Sequence, residues 1–264
     1  TKGHYLMNYL SAIIDIAEQA GQAILAVYQQ DNAAFNITGK ADDSPLTAAD
    51  LAAHQLIVKA LTALTPGLPI LSEEAADISW DIRQRWQRYW LVDPLDGTKE
   101  FIKKNGEFTV NIALIEDGEP VLGIVYAPAK GIGYVGAKGL GSYTYENDGK
   151  LVQIKNETHY SQKEKVIVVG SRSHETPETI AFVDKLKASG KEVDFAASGS
   201  SLKLCLVAEG KADVYPRFGP TMEWDTAAAH AVAVYAGKQV LNIETGKPLT
   251  YNKENLLNPF FIVE

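Results

Sequence analysis

The segment best equipped for chemistry is Asp93-Pro94-Leu95-Asp96-Gly97-Thr98, which follows the apolar run Tyr89-Trp90-Leu91-Val92. That run reads as a buried strand. One carboxylate therefore stands at the strand's exit and another three residues on, both able to face the space beyond the sheet edge. Pro94 fixes one backbone dihedral and Gly97 admits a conformation that other residues resist. A turn of this kind can also aim the Leu95 carbonyl at the same point. Two carboxylates and a carbonyl are hard oxygen donors suited to Mg²⁺, which keeps waters that a substrate can displace. An isolated Asp-Gly would read as a plain turn; the complete string after a strand reads as a metal loop.

Composition narrows the remaining chemistry. Cys205 is the only cysteine and lies in the apolar run Leu204-Cys205-Leu206-Val207-Ala208. A disulfide framework or a cysteine zinc site within one chain is excluded, and the thiol reads as buried. The 264 residues are 46% hydrophobic and 22% charged, enough to bury a core without cross-links. A formal charge of −8 and a sequence pI of about 5.2 leave no basic field for nucleic acid. No stretch is read as approaching the ~20 apolar residues of a membrane span. The N-terminus lacks a basic region followed by an apolar run, so a cytoplasmic protein is expected. Gly131-Ile132-Gly133-Tyr134-Val135-Gly136 fits the dinucleotide fingerprint letter for letter. That fingerprint needs a helix after it, whereas Gly139-Leu140-Gly141-Ser142-Tyr143 continues a glycine-rich β pattern, so NAD chemistry is not expected.

The elements that must position the metal loop follow from periodicity. Leu10, Ile13, Ile14, Ala17, Gly21, Ile24, Leu25 and Tyr28 share one helical face. Thr47, with Asp50 three residues on, resembles a capping box for a second helix that Pro66-Gly67 stops. Strands are expected at 109–115, 121–126, 132–135 and 142–145, the first turning through Asp117-Gly118 into a hairpin. The last third alternates: strand 166–170, helix 177–188, strand 192–195, helix 200–208, strand 212–215, helix 226–236 and strand 238–241. Such alternation places sheet between helices. The fold class is α/β or α+β in two tightly packed halves, residues 1–155 and 156–264, forming one compact unit. His54 and His230 fall in helical patterns and read as structural.

The loop string resembles the signature of the inositol monophosphatase superfamily of lithium-sensitive, Mg²⁺-dependent phosphatases. Ser72-Glu73-Glu74 matches its upstream Glu motif and Trp224-Asp225 its downstream Trp-Asp motif. The nearer resemblance is to the 3′(2′),5′-bisphosphate nucleotidases of the CysQ type. It rests on Asp42-Asp43-Ser44-Pro45-Leu46-Thr47, Asp96-Gly97-Thr98-Lys99-Glu100-Phe101 and Gly170-Ser171-Arg172-Ser173-His174. It continues through Gly199-Ser200-Ser201-Leu202-Lys203, Tyr215-Pro216-Arg217 and Glu223-Trp224-Asp225. Asp43 stands where that branch usually has Asn.

The resemblance implies a layered αβαβα sandwich and hydrolysis of adenosine 3′,5′-bisphosphate to AMP and phosphate, a recycling step of sulfur assimilation. It implies two or three Mg²⁺ ions held by Glu73, Asp93, the Leu95 carbonyl, Asp96 and Asp225. Thr98 and Asp42 would prepare the attacking water, with Asp42 as general base. Gly97, Thr98, His174, Ser200, Lys203 and Arg217 would contact the substrate. Asp50 is expected to cap a helix or support the site from behind. The implied partner is a small nucleotide, in a monomer or weak homodimer, with no nucleic acid and no integral membrane segment. Bacterial relatives add peripheral contact with the inner membrane's cytoplasmic face, for which no anchor is visible in the sequence. The competing readings are an inositol or sugar phosphatase with the same metal core, disfavoured by Lys99-Glu100 and the Ser200/Lys203/Arg217 group, and a non-catalytic nucleotide or metal sensor.

Overall fold

A computed structural model describes residues 2–30, 44–172 and 176–264. Helices α1 (Lys2–Tyr28) and α2 (Pro45–Leu64) pack together on one face of a seven-stranded sheet. Its strands run in sequence order: β1 (Ile70–Ser72), β2 (Arg88–Asp96), β3 (Thr109–Glu116), β4 (Glu119–Ala127), β5 (Ile132–Ala137), β6 (Gly141–Tyr145) and β7 (Val152–Ile154). β1 and β2 are parallel, and every later pairing in the sheet is antiparallel. Short helices α3 (Trp80–Arg83) and α4 (Thr98–Ile102) flank β2. The Asp117-Gly118 turn joins β3 to β4 with both residues at positive φ, as a tight hairpin requires.

Strand alternation divides the core. Trp90, Val92, Val110, Ile112 and Leu114 point to α1 and α2, while Tyr89, Leu91, Ala113 and Ile115 point to the opposite face. That second face carries α6 (Leu202–Ala208) and α7 (Glu223–Tyr235). α7 sits so close that a Cβ at Gly123 would lie 2.4 Å from the Ala228 carbonyl oxygen. Beyond these helices lie the parallel pair β8 (Lys165–Gly170) and β9 (Glu192–Ala197), and the small sheet β10 (Tyr215–Arg217), β12 (Phe261–Val263) and β11 (Val240–Asn242). Helix α5 (Pro177–Ala188) packs on β9 and β10 as the outer layer. The order is thus helices, sheet, helices, sheet and helix.

Several local expectations are corrected. Ser44, not Thr47, caps α2: its Oγ accepts the Thr47 amide at 3.1 Å, and Pro45 takes the first helical position, where its missing N–H costs nothing. Asp50 therefore lies within the helix, buried, and is not a cap. The strand expected at 212–215 begins at Tyr215, because Asp213 and Val214 spend their backbone bonds on Ile167 and Val169 of β8. Helix α6 starts at Leu202, since Ser200 is left-handed at φ +53° and cannot continue a helix. Residues Tyr5–Tyr28 do reach the length and apolarity of a membrane span, contrary to the sequence reading. Ile13, Ala17, Ala20 and Ile24 of that stretch are nevertheless fully buried in the core against α2 and the sheet.

Candidate metal centre

The period of β2 decides where its terminal carboxylate goes. Tyr89 and Leu91 face α7, so Asp93 faces it too, and Asp93 is buried there. A register shift between Asp93 and Asp96 then bends the strand end and carries Asp96 to the same space. Gly97 follows at φ +90°; a Cβ there would stand 3.1 Å from the Ser200 Cβ and 3.2 Å from the Phe108 Cα. Thr98 opens α4 directly after this turn.

Asp225 arrives from the helix packed on this face of the sheet. It lies in the first turn of α7, where one carboxylate oxygen accepts the Met222 amide at 2.8 Å. Carboxylate oxygens of Asp93, Asp96 and Asp225 lie within 4.8 Å of one another. Glu73 joins them through the parallel pairing of β1 with β2. Ser72 is in register with Val92, so the next residue of each strand emerges side by side. Glu73 lies close enough to Asp93 for its carboxylate to raise the Asp93 pKa.

The electrostatics follow from that crowding. Burial raises the Asp93 pKa well above the carboxylate range, and Glu73, Asp96 and Asp225 raise it further. Asp96 is pushed up to about 8, by burial and then Asp225, against the opposing pull of Lys203 and the Ser201 amide. Asp225 is raised by burial, with the Met222 amide as the main opposing influence. One Asp93 oxygen, Oδ1, is buried with no hydrogen-bond partner among the described residues. Converging hard oxygens, an orphaned carboxylate oxygen and acids that repel one another fit divalent cations.

A second group of side chains faces the acids. Ser200, Ser201, Lys203, Tyr215 and Arg217 line a cleft of about 360 Å³ that also contains Asp96 and Asp225. Lys203 is buried, with Nζ 5.6 Å from the Tyr215 ring centroid. Arg217 Nε is buried with no partner among the described residues. A small neighbouring cleft shares Tyr215 and Arg217 and adds Phe195, Phe218, Gly170 and Ser171. The structure thus brings Glu73, Asp93, Asp96, Asp225, Ser200, Lys203 and Arg217 to one region. Leu95 is buried beside them in sequence. Asp42, Asp43 and His174 lie outside the described residues.

Other expectations are settled locally. Cys205 is fully buried, which pushes its thiol pKa up. His230 is buried against the Tyr251 hydroxyl at 2.7 Å, and burial lowers its pKa to about 3. His54 pairs its Nδ1 with Ser72 Oγ at 2.9 Å. Gly131–Gly136 forms a turn and most of β5, with no helix following. Sequence reasoning missed Glu107, Thr109 and Asn111, which hold the turn bearing Ser201. The only available signal was a charged residue wedged between Asn105-Gly106 and the apolar strand.

Residues 6–259 match the inositol monophosphatase family. The chain is 50% identical over 259 residues to the 3′(2′),5′-bisphosphate nucleotidase CysQ of Salmonella typhimurium, covering 96% of this chain and 98% of that one. It is 49% identical over 257 residues to the protein of that name from Escherichia coli K12, with the same coverage. The crystal structure of CysQ from Bacteroides thetaiotaomicron superposes with a TM-score of 0.89 at 46% identity, covering 98% of each chain. The staphylococcal IMPase-II structure, at 21% identity and a TM-score of 0.75, shares the fold.

Proposed function

The chain belongs to the inositol monophosphatase family, and from that premise we propose that it removes the 3′-phosphate of adenosine 3′,5′-bisphosphate, giving AMP and phosphate. The observation that carries the reading is the facing of two opposite clusters: carboxylates of Asp93, Asp96 and Asp225 within 4.8 Å, and Lys203 and Arg217 in the same cleft. An acid cluster alone repels a phosphate ester, and cationic side chains alone bind one without cleaving it.

Mg²⁺ suits this donor set; Glu73, Asp93, the Leu95 carbonyl, Asp96 and Asp225 would hold two or three ions. Bound there, such ions supply a water acidic enough to attack near neutral pH and neutralise charge on the phosphoryl group. The protein's own groups do the rest. Lys203 and Arg217 hold the anionic substrate, Arg217 through a buried N–H that has no other described partner. Thr98, just past the Gly97 turn, orients the attacking water together with Asp42. Phe195 and Phe218 beside Arg217 would offer aromatic faces to a base, which a polyol phosphate lacks. His174 would also contact the nucleotide. On this reading the chain divides at about residue 155 into a half with most of the metal ligands and a half with nucleotide contacts and Asp225, forming one compact unit.

Phosphate release from adenosine 3′,5′-bisphosphate, inositol 1-phosphate and fructose 1,6-bisphosphate, with and without Mg²⁺, tests the assignment. The nucleotide should be preferred and the reaction should stop in chelator. Preference for inositol or sugar phosphate would overturn the substrate and leave the metal chemistry; no turnover of any phosphate ester would favour a sensor.

A further inference from the structure

Glu107 lies outside the acid cluster, and its surroundings differ from those of the cluster at every point. It is buried just before β3, yet it is ionised. Burial raises its pKa, but the Gly199 amide, the Ser198 hydroxyl and Arg172 outweigh burial and leave the carboxyl below its usual range. Its Oε2 accepts the Ser198 hydroxyl and the Gly199 amide, each at 2.9 Å. Its Oε1 pairs with the half-exposed Arg172. Its backbone carbonyl accepts the Ser200 hydroxyl at 2.6 Å. One residue thus holds three consecutive residues of the turn that enters α6.

That turn needs holding. Ser200 is left-handed, a conformation in which its Cβ crowds the backbone. Gly199 packs on Glu100 so tightly that a Cβ would fall 2.5 Å from the Glu100 Cγ. The next residue reaches the metal centre: the Ser201 amide donates to Asp96 Oδ2 at 2.8 Å. The Ser201 hydroxyl is fixed by Asn111 at 2.7 Å and Thr109 at 2.8 Å, and these two β3 residues pair with Asp93 and Asp96 of β2.

We infer that Glu107 is a positioning residue: its carboxylate sets the Ser198–Ser201 turn so that the Ser201 amide orients Asp96 toward the cations, with Lys203 carried on the same turn. Partners behind a metal ligand tune affinity by 10- to 100-fold, and a displaced turn would misplace both Asp96 and Lys203 at once. The inference rests on the metal-dependent phosphatase reading, and its test separates the two.

The test uses the full chain with Glu107→Ala and Glu107→Gln. Mg²⁺ affinity is read by calorimetry without substrate, thermal melting is read in chelator, and kcat and KM are read on whichever phosphate ester the wild type turns over. Glu107→Ala should weaken Mg²⁺ binding and lower kcat, each by about tenfold. Glu107→Gln, which keeps one acceptor for the turn but no charge, should move both in the same direction by less. If the alanine variant does not fold, the glutamine variant alone decides. Arg172→Ala leaves the bonds to Ser198 and Gly199 in place and should fall well short of the alanine effect. Wild-type metal affinity and kcat in a folded Glu107 variant, with only the melting temperature changed, would overturn the inference. An Arg172→Ala loss equal to that of Glu107→Ala would overturn it too, by placing the effect in the ion pair. A substrate misassignment would leave the calorimetric result standing.

Discussion

Glu223 and Asp225 sit two residues apart in the first turn of α7, and they have opposite surroundings. Glu223 is 0% exposed and every neighbour it meets is a donor: the amides of Asn252 and Lys253, at 2.7 and 3.2 Å, and the Lys253 ammonium at 2.6 Å. Asp225 has one amide, from Met222, and the Arg217 cation nearby, and otherwise looks into Asp93, Asp96 and Glu73. A buried acid surrounded by donors ties segments together. An acid that faces mainly other acids is unfavourable until cations arrive. The difference separates a structural carboxylate from a functional one more sharply than burial does.

The comparison can be broken most directly at the acids. Asp96→Asn should lower turnover by about a hundredfold or more, since loss of a ligand should exceed loss of a supporting contact. The variant should fold normally and, in chelator above about pH 8, melt no lower than wild type, because the charge that Asp96 carries there is gone. Near-normal turnover would remove Asp96 from the metal set. Glu223→Ala should do the reverse. It strands a lysine and two amides, destabilising the protein by about 3 kcal/mol, while turnover per folded molecule stays within a few-fold. Equilibrium denaturation with activity normalised to folded protein separates these outcomes.

Lys203→Met tests the facing cation. It should raise KM by about tenfold, in line with losing one charge-assisted contact of roughly 1.5 kcal/mol, with a smaller change in kcat. An unchanged KM would assign Lys203 to packing on Tyr215 alone.

The smallest effect concerns pH. In metal-free protein Asp96, facing Asp225, Asp93, Glu73 and Lys203, keeps its proton to about pH 8, whereas the unfolded chain releases it near 4. Between those values the folded state binds more protons, so stability falls as pH rises. The buried His230 is silent above about pH 7, because it is neutral in both states there. The chelated protein should therefore melt several degrees lower at about pH 8.5 than at pH 7. Added Mg²⁺ should raise the melting temperature more at the higher pH, where it displaces fewer protons. Identical melts with chelator and with metal would erase the distinction between Asp225 and Glu223.

Which parts were legible in the sequence follows from range. The strand ending in Asp93-Pro94-Leu95-Asp96-Gly97-Thr98, the Asp117-Gly118 hairpin and the α5 boundaries are written in local patterns of period 2 or 3.6 and in turn chemistry. The cap of α2 was misplaced by three residues because Ser44-Pro45 and Thr47 both carry start signals, and only the hydrogen bond discriminates them. Motif resemblance pointed to Glu73 and Asp225, but nothing in their own surroundings did.

By itself, the sequence determined that a rigid turn carrying two acids ends a buried strand, since that depends only on residues in contact along the chain. The tertiary structure alone decided which buried acids repel and which are satisfied. That choice depends on the β1–β2 register that sets Glu73 beside Asp93, on the packing of α7 against β4, and on the Ser198–Ser201 turn held by Glu107. A carboxylate's chemistry is set by the charges and donors within a few ångströms, and here those come from distant parts of the chain.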